Sequence, residues 1–164
     1  MLLLNAYNEL VSNKIMELPT AVLPYPAKLL VPHRPPMLFV RQIIKRGKDT
    51  GLVDAIVPDN GIFLNKNSGM ILPELYIEIM AQATAAINGW DALGDSRGPL
   101  PGFIVGMDHI KFYSNARPGE TLWIEVVKKL EFGEISLLEA TVKKDKTVII
   151  QGEIKVWANK GNNK

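Results

Sequence analysis

Residues 73–93 read PELYIEIMAQATAAINGWDAL, and this stretch decides the fold. It is the only long segment of helical character in the chain. Pro73 suits a first helical position, where its missing N–H is no loss. Glu74 sits in the first turn, where the helix dipole favours a carboxylate. Gly94 offers a stop, and Gly89 already weakens the last turn. Leu75, Ile77, Ile79, Met80, four alanines and Ile87 make the segment apolar almost all round, the pattern of a helix buried within protein. The alanines let another backbone approach closely. Against that background Glu74, Glu78 and Gln82 stand at i, i+4 and i+8, one polar stripe on one face.

On the N-terminal side, Met37–Arg46 (MLFVRQIIKR) reads as a strand and Gly51–Val57 as its hairpin partner, with a Gly47-Lys48-Asp49 turn between them. Before them, residues 18–36 hold six prolines, which fix φ and remove donors. That implies an extended, turn-rich approach, with a short helical turn at Ala27–Leu30. Residues 58–72 read as a loop. On the C-terminal side, Phe103–Tyr113, Thr121–Phe132, Ile135–Lys143 and Thr147–Ala158 are rich in β-branched and aromatic residues and are separated by tight turns. Two strands, one long helix and four strands make an α+β domain, an antiparallel sheet wrapped around a central helix. The domain is expected over residues 18–160. Residues 1–17, whose apolar spacing is only loosely helical, form an N-terminal extension, and residues 161–164 a polar tail.

The bulk numbers exclude several classes. In 164 residues, 19 Lys and Arg stand against 17 Asp and Glu, too even a balance for a nucleic-acid binder. There is no cysteine, hence no disulfide and no thiolate nucleophile or metal ligand. Two histidines do not suggest a histidine-rich zinc site. No metal or nucleotide cofactor is indicated, since the chain has neither a ligand cluster nor a Gly-rich phosphate loop. No run approaches a membrane span or a signal-peptide core, so a cytoplasmic protein is the default expectation.

Chemistry is expected on the helix. Glu74 is explained by the dipole, but Glu78 is a full turn inside. A carboxyl in apolar surroundings keeps its proton more tightly, and at neutral pH it can donate that proton to a leaving group. Gln82, one turn on, can hydrogen-bond and orient it. On pattern alone a purely structural Glu78, satisfied by Gln82 or a basic partner, stands equally open. His33, in Val-Pro-His-Arg-Pro-Pro, either packs at the strand start or acts as a base of near-physiological pKa. Strand alternation puts Ile104, Gly106, Ile110 and Phe112 on one face. His109 falls on the other, as a surface or subunit-contact residue.

Three segments together resemble the beta-hydroxyacyl-[acyl carrier protein] dehydratases of the hotdog superfamily. Leu29–Val40 (LLVPHRPPMLFV) is similar to their "LLPHRxPxLLVD" entry, Ile77–Ala83 (IEIMAQA) to their "LEAMAQ" helix, and Phe103–Gly119 (FIVGMDHIKFYSNARPG) to "FAGIDxxRFxxxVxPGD". The stretch LNKNSGMILPELYIEIMAQATAAINGW looks closest to the aryl-polyene-type branch. The resemblance implies a hotdog fold and a dimer joined edge to edge. It also implies loss of water from a 3-hydroxyacyl thioester to give a trans-2-enoyl thioester, in fatty-acid or polyene-type synthesis. Glu78 matches the family's acid. The family's base, a histidine in a "GHFPGxPxxPG" loop, has no counterpart in residues 63–74, so His33 is expected to serve as the base. Gln82, Pro73, Glu74 and Gly106, in or beside the matched segments, are the expected substrate-binding positions. The substrate carrier is expected to be an acyl carrier protein or coenzyme A, with basic residues such as Lys128 and Lys129 as candidates for docking an acidic carrier. The assembly is expected to be a homodimer or a heterodimer with a homologue. An acyl thioesterase and a non-catalytic acyl-binding subunit remain the alternatives on the same fold.

Overall fold

The structure, a computed structural model, describes residues 22–94 and 102–158. The expected extension over residues 1–17 and the tail at 161–164 lie outside the described residues. The strands are β1 (Tyr25–Pro26), β2 (Val40–Arg46), β3 (Thr50–Ile56), β4 (Gly102–Phe112), β5 (Thr121–Phe132), β6 (Ile135–Lys144) and β7 (Thr147–Ala158). One long helix, α1 (Glu74–Asp91), is extended by a short 3-10 turn at Ala92–Gly94, and another 3-10 turn covers Ala27–Leu29. All pairings are antiparallel, in the order β1-β2-β3-β5-β6-β7-β4. The α+β architecture expected from the sequence is therefore the one observed. The helix is not long and apolar enough to cross a membrane.

The curled sheet packs on α1 through β2, β3, β5 and β6. Leu75, Ile79, Met80, Ala83 and Ala86 are fully buried from the helix side, and Ile43, Val53, Ala55, Leu122, Ile124 and Ile150 from the sheet. Burying each large aliphatic side chain contributes about 1.5–3 kcal/mol, so this one layer is the main source of stability. Alanine on the helix and Val53, Ala55 and Ile124 on facing strands keep the layer thin.

Three details depart from the sequence reading. The first central strand starts at Val40, not Met37, because Gln82 takes the Phe39 N–H and the Met37 carbonyl that a strand would offer a neighbour. The two-residue β1 escapes any periodicity argument, and Pro26 is tolerated because β1 is an edge strand. In β4, irregularities between Ile104 and Gly106 and between Asp108 and Lys111 break the alternation expected there. His109 lies in the second with φ 54°. Gly152 on β7 faces this bulge, where a Cβ would come 2.2 Å from Ile110 Cδ1 and 3.4 Å from the Asp108 carbonyl.

Candidate active site

The polar stripe on α1 is graded. Glu74 is exposed, the Glu78 side chain is 30% exposed, and Gln82 is fully buried. Gln82 can be buried because every amide function is used. Its Oε1 accepts from Phe39 N–H at 3.0 Å, and its Nε2 donates to the Met37 carbonyl at 2.7 Å and to Glu78 Oε1 at 2.8 Å. The backbone N–H can only donate, so the orientation of the amide is fixed from outside the site. Glu78 Oε1 is consequently an acceptor, and in the acid form the proton resides on Oε2. Among the described residues, Oε2 accepts no hydrogen bond.

His33 is carried to the same place by the proline-rich strap between the 3-10 turn and β2. Its Nε2 lies 3.5 Å from Glu78 Oε1, and its side chain is 34% exposed. Its Nδ1 is buried without a hydrogen-bond partner among the described residues. Arg34 stiffens the bend, its Nη1 donating to the carbonyls of Val31 at 2.9 Å and His33 at 2.7 Å. Phe39 and Phe63 meet edge to face at 5.5 Å beyond the strap. The full apolar enclosure of Glu78 expected from the sequence is not found. The stripe faces the strap rather than the sheet, and the pair sits at an opening where both side chains keep about a third of their surface.

The other expected positions are spread out. Pro73 and Glu74 begin the helix one turn from Glu78 and are exposed. Pro73 has no N–H, while the amides of Leu75 and Tyr76 donate to Leu72 and Pro73 carbonyls at 3.1 Å each. Among the described residues the Glu74 amide donates to none. Gly106 is half-buried on β4, paired with Lys155 and on the edge strand at the end of the sheet opposite β1. His109, on the same edge strand, is exposed and 3.0 Å from Glu153 Oε2. Lys128 and Lys129, expected to dock a carrier, each pair with a carboxylate, as do Lys143 and Lys144, which reduces the free positive charge they offer.

Sequence reasoning missed Tyr76, which looks like an ordinary core aromatic. Its hydroxyl donates to Asn115 Oδ1 and accepts from Ala116 N–H at 2.9 Å, and Asn115 Nδ2 donates to the Ile71 carbonyl at 3.2 Å. These bonds lock the start of α1 to the segment after β4. Burial pushes the Tyr76 phenol above its ordinary pKa, with the Glu120 charge adding to the effect and the Ala116 N–H opposing it.

Comparison with known proteins bears on the fold and the family. A 3-hydroxyacyl-[acyl-carrier-protein] dehydratase, FabZ of Streptococcus pneumoniae (strain Hungary19A-6), is 28% identical over 130 residues, 77% of this chain and 91% of the relative. Among solved structures, the dehydratase heterocomplex ApeI:P from Xenorhabdus doucetiae superposes with a TM-score of 0.71 at 23% identity, over 81% of this chain and 90% of that one. A hypothetical thioesterase from Streptococcus pneumoniae TIGR4, solved with coenzyme A, reaches a TM-score of 0.58 at 11% identity, over 71% of this chain and 83% of that one. Both structural likenesses speak to the fold. The family model for ApeP-like proteins, described as ApeP dehydratase, matches residues 25–164, and the chain belongs to this family of hotdog dehydratases.

Proposed function

We propose that the protein removes water from a 3-hydroxyacyl thioester, with His33 as base and Glu78 as acid. The observation that carries this reading is the 3.5 Å separation of His33 Nε2 and Glu78 Oε1 at a half-open site on the helix. His33 Nε2 takes the proton from the carbon next to the thioester carbonyl. The electron pair left behind forms the double bond as the 3-hydroxyl departs, taking the proton of Glu78 Oε2. The products are a trans-2-enoyl thioester and water. The step leaves an imidazolium beside a carboxylate; at this half-open site His33 gives its proton to solvent and Glu78 Oε2 takes one from solvent, which restores the starting pair. Each such acid–base contribution is typically worth about 10²–10⁴-fold in rate. The unused Glu74 amide at the positive end of α1 suits the thioester carbonyl, whose oxygen gains charge in the transition state. Pro73, which carries no N–H, and Gln82, through Glu78, serve the substrate only by shaping and orienting this end of the site.

The carrier on which the thioester rides is proposed to be an acyl carrier protein, as in the name of the curated relative, with coenzyme A as the alternative carrier. The proposed assembly joins β4 to the β4 of a second chain, a copy of this one or a homologue. β4 ends the sheet, and Phe103, Ile104, Val105 and Phe112 on it are exposed. An unprotected apolar edge strand is a template for pairing. A substrate role for Gly106 is proposed through this pairing, because β4 and the strands that flank the His33 strap lie at opposite ends of the strand order.

Incubation with a 3-hydroxyacyl carrier-protein thioester tests the reading by mass spectrometry of the product. Enoyl thioester is expected. Release of free acid and thiol would make the protein a thioesterase instead. No turnover, alone and with a homologous dehydratase chain present, would leave it an acyl-binding subunit.

A further inference from the structure

Gly89 lies inside α1 and is buried. Helix propensity alone favours alanine there by about 1 kcal/mol. The need for glycine is steric. A Cβ at this position would sit 2.5 Å from the Leu30 carbonyl oxygen, 3.0 Å from Leu30 Cβ and 3.2 Å from the Leu30 carbonyl carbon. The closest atom belongs to the backbone, so only a shift of the chain relieves the conflict. Leu30 closes the 3-10 turn, its N–H donating to the Ala27 carbonyl at 2.8 Å, with Val31 N–H on the same oxygen at 3.1 Å. Beside Gly89, Trp90 meets Tyr25 edge to face at 5.2 Å. The turn is thus seated as a unit on the C-terminal end of α1.

His33 follows three residues after Leu30, and the Arg34 guanidinium ties the carbonyls of Val31 and His33 to one another. Further along, Gln82 grips Met37 and Phe39. The strap is therefore anchored to α1 at both ends, with His33 between the anchors. On a regular helix Glu78, Gln82 and Gly89 fall within about 40° of each other, on one face. Gly89 and Glu78 are separated along the axis by about 16 Å. Three residues cover at most about 11 Å, so the His33 and Glu78 side chains must span the rest and the strap has little slack.

We propose that Gly89 is a positioning residue for the dehydration: by lacking a side chain it lets Leu30 seat against α1, and the seated strap holds His33 against Glu78. The proposal rests on the His33–Glu78 reading of the site.

The test uses the full chain labelled with ¹⁵N-histidine, in which His109 serves as the internal control for His33. In the otherwise unchanged protein, Glu78→Gln shifts the His33 ring-nitrogen signals. In Gly89→Ala the same substitution is expected to leave those signals nearly unmoved, with His109 unaffected. A displacement of about 1 Å at a reacting group costs up to about a hundredfold, so kcat is expected to fall on that scale. KM is expected to stay within about threefold, since substrate binding is not what is lost. Where Gly89→Ala does not reach the folded state by circular dichroism, Leu30→Gly decides instead, because it loosens the same seat from the strap side of the contact. A full Glu78→Gln response with unchanged kcat in the deciding variant overturns the proposal. Normal dehydration by His33→Ala would overturn the assignment of the base, and the ring-nitrogen response would still report on the seat at Gly89.

Discussion

Gln82 donates to Glu78 Oε1 at 2.8 Å while its own carbonyl accepts the Phe39 N–H at 3.0 Å, so a backbone amide on one segment determines which oxygen of the acid holds its proton. A hydrogen bond to an ionised carboxylate is stronger than one between neutral groups, and here its direction is set without any choice of side-chain flip.

Glu78→Gln preserves the shape of the side chain and keeps an oxygen for Gln82 to address, yet removes the transferable proton. Dehydration is expected to fall by about 10²–10⁴-fold, with a similar loss in His33→Ala. Thermal unfolding of both variants is expected to stay close to that of the parent protein. Enoyl formation followed against time checks the first expectation, and a loss below tenfold in Glu78→Gln would remove it from the reaction.

Gln82→Ala leaves the buried Phe39 N–H and the half-buried Met37 carbonyl without their partner. Each stranded group costs about 1–3 kcal/mol, so chemical denaturation is expected to show a loss of several kcal/mol. Gln82→Glu is expected to be harmful in a different way. It can still accept from Phe39, but it turns a second oxygen toward the Met37 carbonyl and Glu78 Oε1, where a donor was required.

Tyr76 supplies a pH dependence whose sign is fixed. Burial, aided by the Glu120 charge, raises the folded phenol above its unfolded value of about 10. The unfolded chain therefore gives up the proton first. This contribution is intact below pH about 10 and is lost as the pH rises through the folded value. Tyr76→Phe is expected to lower stability near neutrality by about 1–2 kcal/mol through the lost Ala116 and Asn115 contacts. It is also expected to flatten the alkaline decline, which urea titrations between neutral and strongly alkaline pH would reveal.

Val105 is 57% exposed on the edge strand β4. Val105→Lys puts a charge where a second sheet would have to pair, a device that natural edge strands use against association. Sedimentation is expected to show a shift toward monomer while far-ultraviolet circular dichroism stays unchanged. An unchanged mass would move the proposed joint away from β4.

Much of the fold was legible because its cause is local. The buried face of α1 repeats with the helical period, and β5, β6 and β7 are β-branched runs between turns that cannot be helical. Their bounds in the structure differ from the sequence reading by a residue at most. The misreadings sit where a partner distant in sequence intervenes. Met37–Phe39 has strand-like composition, but Gln82, more than forty residues away, takes the backbone groups that a strand would share. His109 has the exposed position that alternation predicted for it, but the alternation itself is broken at two places, and Gly152 on β7 makes room for the one that holds His109.

By itself the sequence determined one helix inside an antiparallel sheet, a polar stripe with Glu78 at its centre and a strap bearing His33, because side-chain periodicity and proline stereochemistry act over a few residues. Only the tertiary structure decided that His33 meets Glu78, that Gln82 is spent on backbone groups of the strap, and that Gly89 is the seat on which the strap rests. Those relations join residues about 45 to 60 positions apart through the order of the strands and the packing of one backbone on another, and no local pattern records them.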